Sequence, residues 1–214
     1  LALPFVRILG QLSPQVTAGD SKYIDSAKPG MIYNTVTSEL YDGKKGIKVI
    51  PCYYKKDYPE WSDRGDGPGA PVAVHMPNSP VIATGKREGS KIRLPNGNYI
   101  EKTASHFVII TGDSPSTALI SMKSTQLKIS RKWNSMMSGI KMNGKNGMFT
   151  PASFSHIYKL KTTQMSNDKG TWFGWEVSKV GLVTDKGLYD QAKGFSYSIS
   201  KGSVKAKHGE EKPK

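Results

Sequence analysis

Three short runs of this chain set aromatic rings beside cations. Residues 52–61, CYYKKDYPEW, supply Tyr53, Tyr54, Tyr58 and Trp61 with Lys55 and Lys56. IYKLKTT supplies Tyr158 with Lys159 and Lys161, and TWFGWE supplies Trp172, Phe173 and Trp175. An extended nucleic-acid strand asks for this pairing: cations along a groove for the phosphates, and rings on which bases stack at roughly 1–3 kcal/mol each. Arg64 would add a phosphate contact, and a helix face with Lys123, Lys128, Arg131 and Lys132 would extend the track. Each group also has a plainer reading, since rings on strands are core more often than platforms and lysines usually face solvent. Trp133 and Trp175, flanked by apolar periodicity, are assigned to the core. The surface reading gains from the charge, 31 Lys+Arg against 17 Asp+Glu for a formal +14, which draws polyanions from a distance.

Catalytic sets are missing from the sequence. His75, His106, His156 and His208 are scattered, and there is no H-E-x-x-H, C-x-x-C, G-x-S-x-G or phosphate-loop pattern. His106 and His156 fall on strand patterns and read as hydrogen-bonded structural residues. Asp63 and Asp66 in SDRGDGPG could hold a divalent cation in a nuclease, but two carboxylates in a glycine loop more often make a turn. The glycines around Lys44, Lys45 and Lys145 could bring backbone amides to phosphates, although Asn-Gly pairs are ordinary turn chemistry. The expectation is a non-enzyme without cofactor or metal.

One cysteine, Cys52, leaves no internal disulfide, and no Asn-x-Ser/Thr sequon is present, so a reducing compartment is expected. The apolar N-terminus LALPFVRILGQL is broken by Pro4 and Arg7 and reads as an ordered arm or first strand, not a membrane span.

The elements that must position these groups are strand-rich, with 22 glycines and 13 prolines marking many turns. MIYNTV (31–36) and IKVIPCYYKKDY (47–58) read as an antiparallel pair, with an edge, bulge or bend at Pro51. Alternation along the second strand puts Tyr54 and Tyr58 on one face with Cys52, and Tyr53 and Lys55 on the other. Residues 62–90 read as a long loop apart from VAVH. KIRLPNGNYIEK carries Asn96-Gly97 at a hairpin tip. HFVIIT (106–111) and TALISM (117–122) read as buried strands. A helix follows from Ser124 or Thr125 to about Ile140, with Ile129, Trp133, Met136, Met137 and Ile140 on one face and Lys128, Arg131 and Lys132 on another. Strands 154–164 and 171–183 form a hairpin, and a last helix over 185–201 sets Leu188, Ala192, Phe195 and Ile199 on one face. The fold class is therefore mainly β, a five-stranded OB-fold-like barrel over residues 1–202 with extra hairpins, long loops and one or two helices, followed by a flexible charged tail at 203–214. A β-sandwich is the other architecture so many strands could form.

The runs AKPGMIYNTVTSELYDG, VIPCYYKKDYPEWSDRGDGPGAPVAVH, ALISMKSTQLKISRKWN and GTWFGWEVSKVG resemble those of bacteriophage single-stranded DNA-binding proteins. The resemblance spans about residues 3 to 208 and rests on local wording, without a motif of defined chemistry. It implies an OB-fold that coats single-stranded DNA during phage replication and recombination in the host cytoplasm, without sequence preference or cofactor. Replication proteins such as a DNA polymerase, and further copies of the chain, are the partners it implies. Such proteins commonly end in an acidic tail, from which GEEKPK departs with two glutamates against two lysines. A phage structural or packaging protein with a basic nucleic-acid-facing surface is the alternative.

Overall fold

The computed structural model describes residues 3–63, 70–168, 170–202 and 204. Five long strands and two helices dominate: β1 (Ile47–Trp61), β2 (Thr103–Ile110), β3 (Ser116–Lys123), α1 (Leu127–Ser138), β4 (His156–Asn167), β5 (Gly170–Leu182) and α2 (Lys186–Ser200). The strands form a curled, wholly antiparallel sheet in the order β3-β2-β1-β4-β5. Its inner face is apolar because Ile47, Val49, Val108, Ile110, Ile120, Leu160 and Val177 alternate inward around Trp133 and Trp175. The expected hairpin of the last two strands forms along their whole length, from His156↔Leu182 to Asn167↔Gly170.

Pro51 has no N–H to give to the ladder, and the pairing of β1 with β2 slips between Pro51 and Tyr53. This bulge corrects the alternation read from the sequence. Cys52 packs with Ile50 and Ile109 on the outer face, the face of Tyr53, while Tyr54 turns inward.

Strands β3 and β5 edge this sheet and do not pair with one another. The gap between them is bridged by α1, which rests against both. Gln126 at its start accepts a hydrogen bond from the Trp175 amide at 2.9 Å, and Trp133 at its centre is fully buried. The N-terminal strand Val6–Ile8 also lies against β3 and β5, preceded by a parallel bridge from Phe5 to Leu119. Outside, α2 closes over the middle of β1 and β2, seating Leu188, Ala192, Phe195 and Ile199 on Ile50, Cys52, Phe107, Ile109 and Leu119. Asp185 caps that helix by accepting the Leu188 amide at 2.7 Å.

Two expectations fail here. Ile32–Asn34 pairs with Val6–Ile8 and Leu40–Tyr41, not with β1. The span read as a loop holds strand Ala73–His75, inside the VAVH run set apart from it, but also a helical turn at Pro80–Ala83 and strand Lys86–Glu88. The first of these pairs with Tyr58–Glu60 of β1, and Glu60 and Trp61 pair with Tyr99–Glu101, so the end of β1 carries a second small sheet. That sheet continues through Lys91–Arg93 to Lys86–Glu88, with the expected Asn96-Gly97 turn at one end and Gly97 at φ +87°. No described helix is long and apolar enough to cross a membrane.

Candidate nucleic-acid interface

Outward from the sheet, Tyr53, Lys55, Asp57 and Trp61 alternate along β1, opposite Phe107, Ser105, Thr103 and Tyr99. Cations lie over rings on this face. Lys123 Nζ is 6.0 Å from the Trp61 ring, Lys55 Nζ 5.8 Å from Phe107 and Lys91 Nζ 3.7 Å from Tyr99. Carboxylates hold several of the same cations. Lys55 pairs with Asp57 at 3.2 Å, Lys123 with Glu101 at 3.3 Å, and Arg93 with both Asp63 at 2.9 Å and Glu88 at 3.3 Å. This part of the surface is close to electrically balanced despite its lysines.

The opposite face holds Tyr54, Lys56 and Tyr58. Tyr54 is half-buried against the core, its ring 4.9 Å from His106, and Tyr58 is half-buried across from His75, whereas Lys56 is exposed. Phe173 also points inward and packs on Gly30, where an added Cβ would sit 2.6 Å from its ring. The rings assigned to one trench are thus divided between two faces.

On β4 the outward residues are Lys159 and Lys161, both half-buried, across from Ser178 and Glu176 of β5, and Lys159 also faces Lys48 of β1. Trp172 is the cross-strand partner of Met165, and the Met165 sulfur lies 3.9 Å from Gln126 Nε2 at the start of α1. From there Lys128, Arg131 and Lys132, spaced i, i+3 and i+4, face solvent with Ser135 at i+7. These three cations make no ion pair among the described residues. The chain reason is simple: from Ser114 to Asn167 there is no Asp or Glu, while eight Lys or Arg occur. Arg64 lies outside the described residues, as do Asp66 and the tail from residue 205 onward.

Across the whole of this architecture, residues 1–205 match the profile of the family described as Pam3 phage gp34-like protein. The chain belongs to that family. No curated protein and no solved structure matches it. The family description marks a phage protein and assigns no activity.

The titratable groups of this gp34-like chain take structural places. His106 is buried, accepts or donates a 2.8 Å hydrogen bond between Nε2 and Ser130 Oγ, and is held neutral, its pKa lowered to about 3 by burial. His156 Nδ1 bonds Ser155 Oγ at 2.8 Å, in line with the structural role read for both. Burial pushes the Cys52 thiol up to about 12, far from thiolate chemistry. Asp63 is engaged by Arg93, and among the described residues no three His, Cys, Asp or Glu side chains cluster as metal ligands. Sequence reasoning missed Lys91, Arg93 and Tyr99, which share the outer face with Trp61. It also missed the acid-free stretch, a signal open to a plain charge count.

Proposed function

We propose that this chain binds single-stranded DNA without sequence preference, serving phage replication and recombination. The strand order β3-β2-β1-β4-β5, with a helix after β3 bridging the two edge strands, supports reading the curled sheet as an OB-fold-like barrel opened at one seam. The single observation that carries the reading is the basic face of α1, where Lys128, Arg131 and Lys132 stand exposed with no carboxylate partner among the described residues. Phosphates would bind there first. Lys123, on β3 just before that helix, and the outward Lys159 and Lys161 on β4 would extend the track, and Lys55 adds a further contact. Stacking would fall to Trp61, Trp172 and Tyr53, all half-buried, and Tyr58, also half-buried, pairs into the small sheet. Tyr54 and Phe173 face inward and are left out of the stacking set. A polyanion competing for Lys123 would also uncover the Trp61 ring beneath it.

A packaging or structural protein is the second reading, and one observation favours it: the outer rings lie under the chain's own lysines, which suits phosphate contact better than base contact. Strand preference decides between them, because stacking needs unpaired bases. Titration of fluorescent oligo-dT and of a duplex of equal length should show the single strand bound at least about tenfold more tightly if one ring stacks. Equal affinity for both would move the assignment to the packaging reading.

A further inference from the structure

The segment from Lys141 to Thr150 folds back on itself as Met142–Gly144 paired with Gly147–Phe149, directly after α1. Only Met142 in this segment is half-buried; the other residues are exposed. Met148 is 69% exposed and Phe149 47%, although the Phe149 ring leans on Gly144. Two large apolar side chains on a hairpin that serves no core are a cost in water. Their surroundings are cationic: Lys141, held to Thr150 Oγ1 at 2.6 Å, flanks the hairpin, and Lys145 stands at its turn. Both belong to the same acid-free stretch as the basic face of α1. The partner must therefore offer dense negative charge and apolar slots within a few ångströms of each other. Stacked base steps between phosphates meet both demands.

We propose that this hairpin is a wedge for the junction between duplex and single strand. As neighbours on a strand, Met148 and Phe149 point to opposite faces of the hairpin, so at the fork each meets one of the two parted bases, and Lys141 and Lys145 grip the flanking phosphates. The freed strand passes to the basic face of α1. The inference rests on the single-strand reading above and adds to it a second site with a distinct substrate, the paired end of a fork. An acidic membrane also combines charge with an apolar layer, but two side chains on a hairpin bury little area there, and an adjacent phosphate-binding helix favours nucleic acid.

A forked DNA with 2-aminopurine at its first base pair tests this. The intact chain should raise the fluorescence of the probe, and Met148→Ser/Phe149→Ser should abolish that rise and bind the fork about tenfold more weakly, as expected for one lost stacked ring. Both positions are exposed, so the double variant should keep the circular-dichroism melting curve of the parent. Its affinity for oligo-dT should stay unchanged, which separates failure of the wedge from failure of the single-strand reading. A double variant that opens the fork as well as the parent overturns the proposal. So does phosphatidylserine-vesicle binding that is lost with Phe149→Ser while fork opening survives.

Discussion

His106 and Trp133 stack ring on ring, 4.5 Å between centroids and 19° between planes, joining β2 to the helix that bridges the open seam. Ser130, one turn before Trp133 on the same helix, holds His106 Nε2, so strand and helix are tied by a hydrogen bond and an aromatic contact at one residue. Tyr54, Trp133 and Ser130 surround the imidazole, and none of them offers a charge to hold a proton there.

The pH response follows from that burial. The folded pKa of His106 is lowered from 6.5 to about 3, so the unfolded chain takes up the proton first. Stability from the neutral ring is present above about 6.5 and lost as pH falls toward 3, at up to about 1.4 kcal/mol per pH unit. His106→Gln should be less stable than the parent at pH 7, yet lose stability less steeply between pH 6 and pH 4 in urea titrations. Parallel slopes for the two chains would refute the assignment.

A buried carboxylate fixes the small sheet. Glu60 Oε2 lies 2.7 Å from His75 Nε2, while Oε1 accepts from Asn98 at 2.6 Å and Asn96 at 3.2 Å. Burial pushes its carboxyl up, but the bonds from Asn98, His75 and Asn96 outweigh it and hold the group below its usual 4.5. A depressed acid pKa stabilises above the unfolded value and loses that contribution as pH drops through the folded one. Glu60→Gln should cost about 1.5–3 kcal/mol at pH 7, the worth of hydrogen bonds to a charged group, and the deficit should shrink below pH 4. Hydrogen exchange should quicken first at Tyr99–Glu101, the strand paired with Glu60 and Trp61.

What the sequence made legible were the elements with strong local signals. Asn96-Gly97 marked its turn, and the apolar spacing of Leu188, Ala192, Phe195 and Ile199 marked the face that α2 buries. The rest depended on information that no local window holds. Proline at 51 announced an edge, bulge or bend, but which side Cys52 would take follows from how the ladder with β2 resumes at Tyr53. Ile32–Asn34 reads as strand in isolation, but its partners are Val6–Ile8, three residues with Arg7 at the centre, and the two-residue Leu40–Tyr41, both too short to carry a strand pattern. The site suffered most. Ring-and-cation runs look alike whether the cation faces a ligand or sits on its own ring beside its own carboxylate, as Lys123 does with Trp61 and Glu101.

Gly30 offers a sharper steric test. Its φ is +88°, and an added Cβ would sit 2.6 Å from the Phe173 ring. The Gly30 carbonyl also accepts from Thr162 Oγ1 and its amide donates to the Leu9 carbonyl at 2.8 Å, so the turn cannot slide away. Gly30→Ala should destabilise by about 2–4 kcal/mol, part from the left-handed backbone and part from the clash. Adding Phe173→Leu should recover the steric part alone. If Gly30→Ala melts like the parent, the packing of the N-terminal segment on β5 is wrong.

The basic groups divide into two kinds, and salt should tell them apart. Lys128, Arg131 and Lys132 have no carboxylate partner among the described residues, so a phosphate that binds them displaces only counterions. Lys55 and Lys123 must first give up Asp57 and Glu101, which returns much of what the phosphate supplies. For oligo-dT, log K should fall with log salt by about 0.7 for every phosphate contact. Replacing Lys128, Arg131 and Lys132 together by alanine should flatten that slope by about 2, three contacts' worth. Lys55→Ala with Lys123→Ala should change it far less, because each removal leaves a free carboxylate to repel the strand and lowers affinity with little change in released ions. If the helix variant keeps the parent's slope while the strand variant loses it, phosphate contact lies on the β1–β3 face and not on α1.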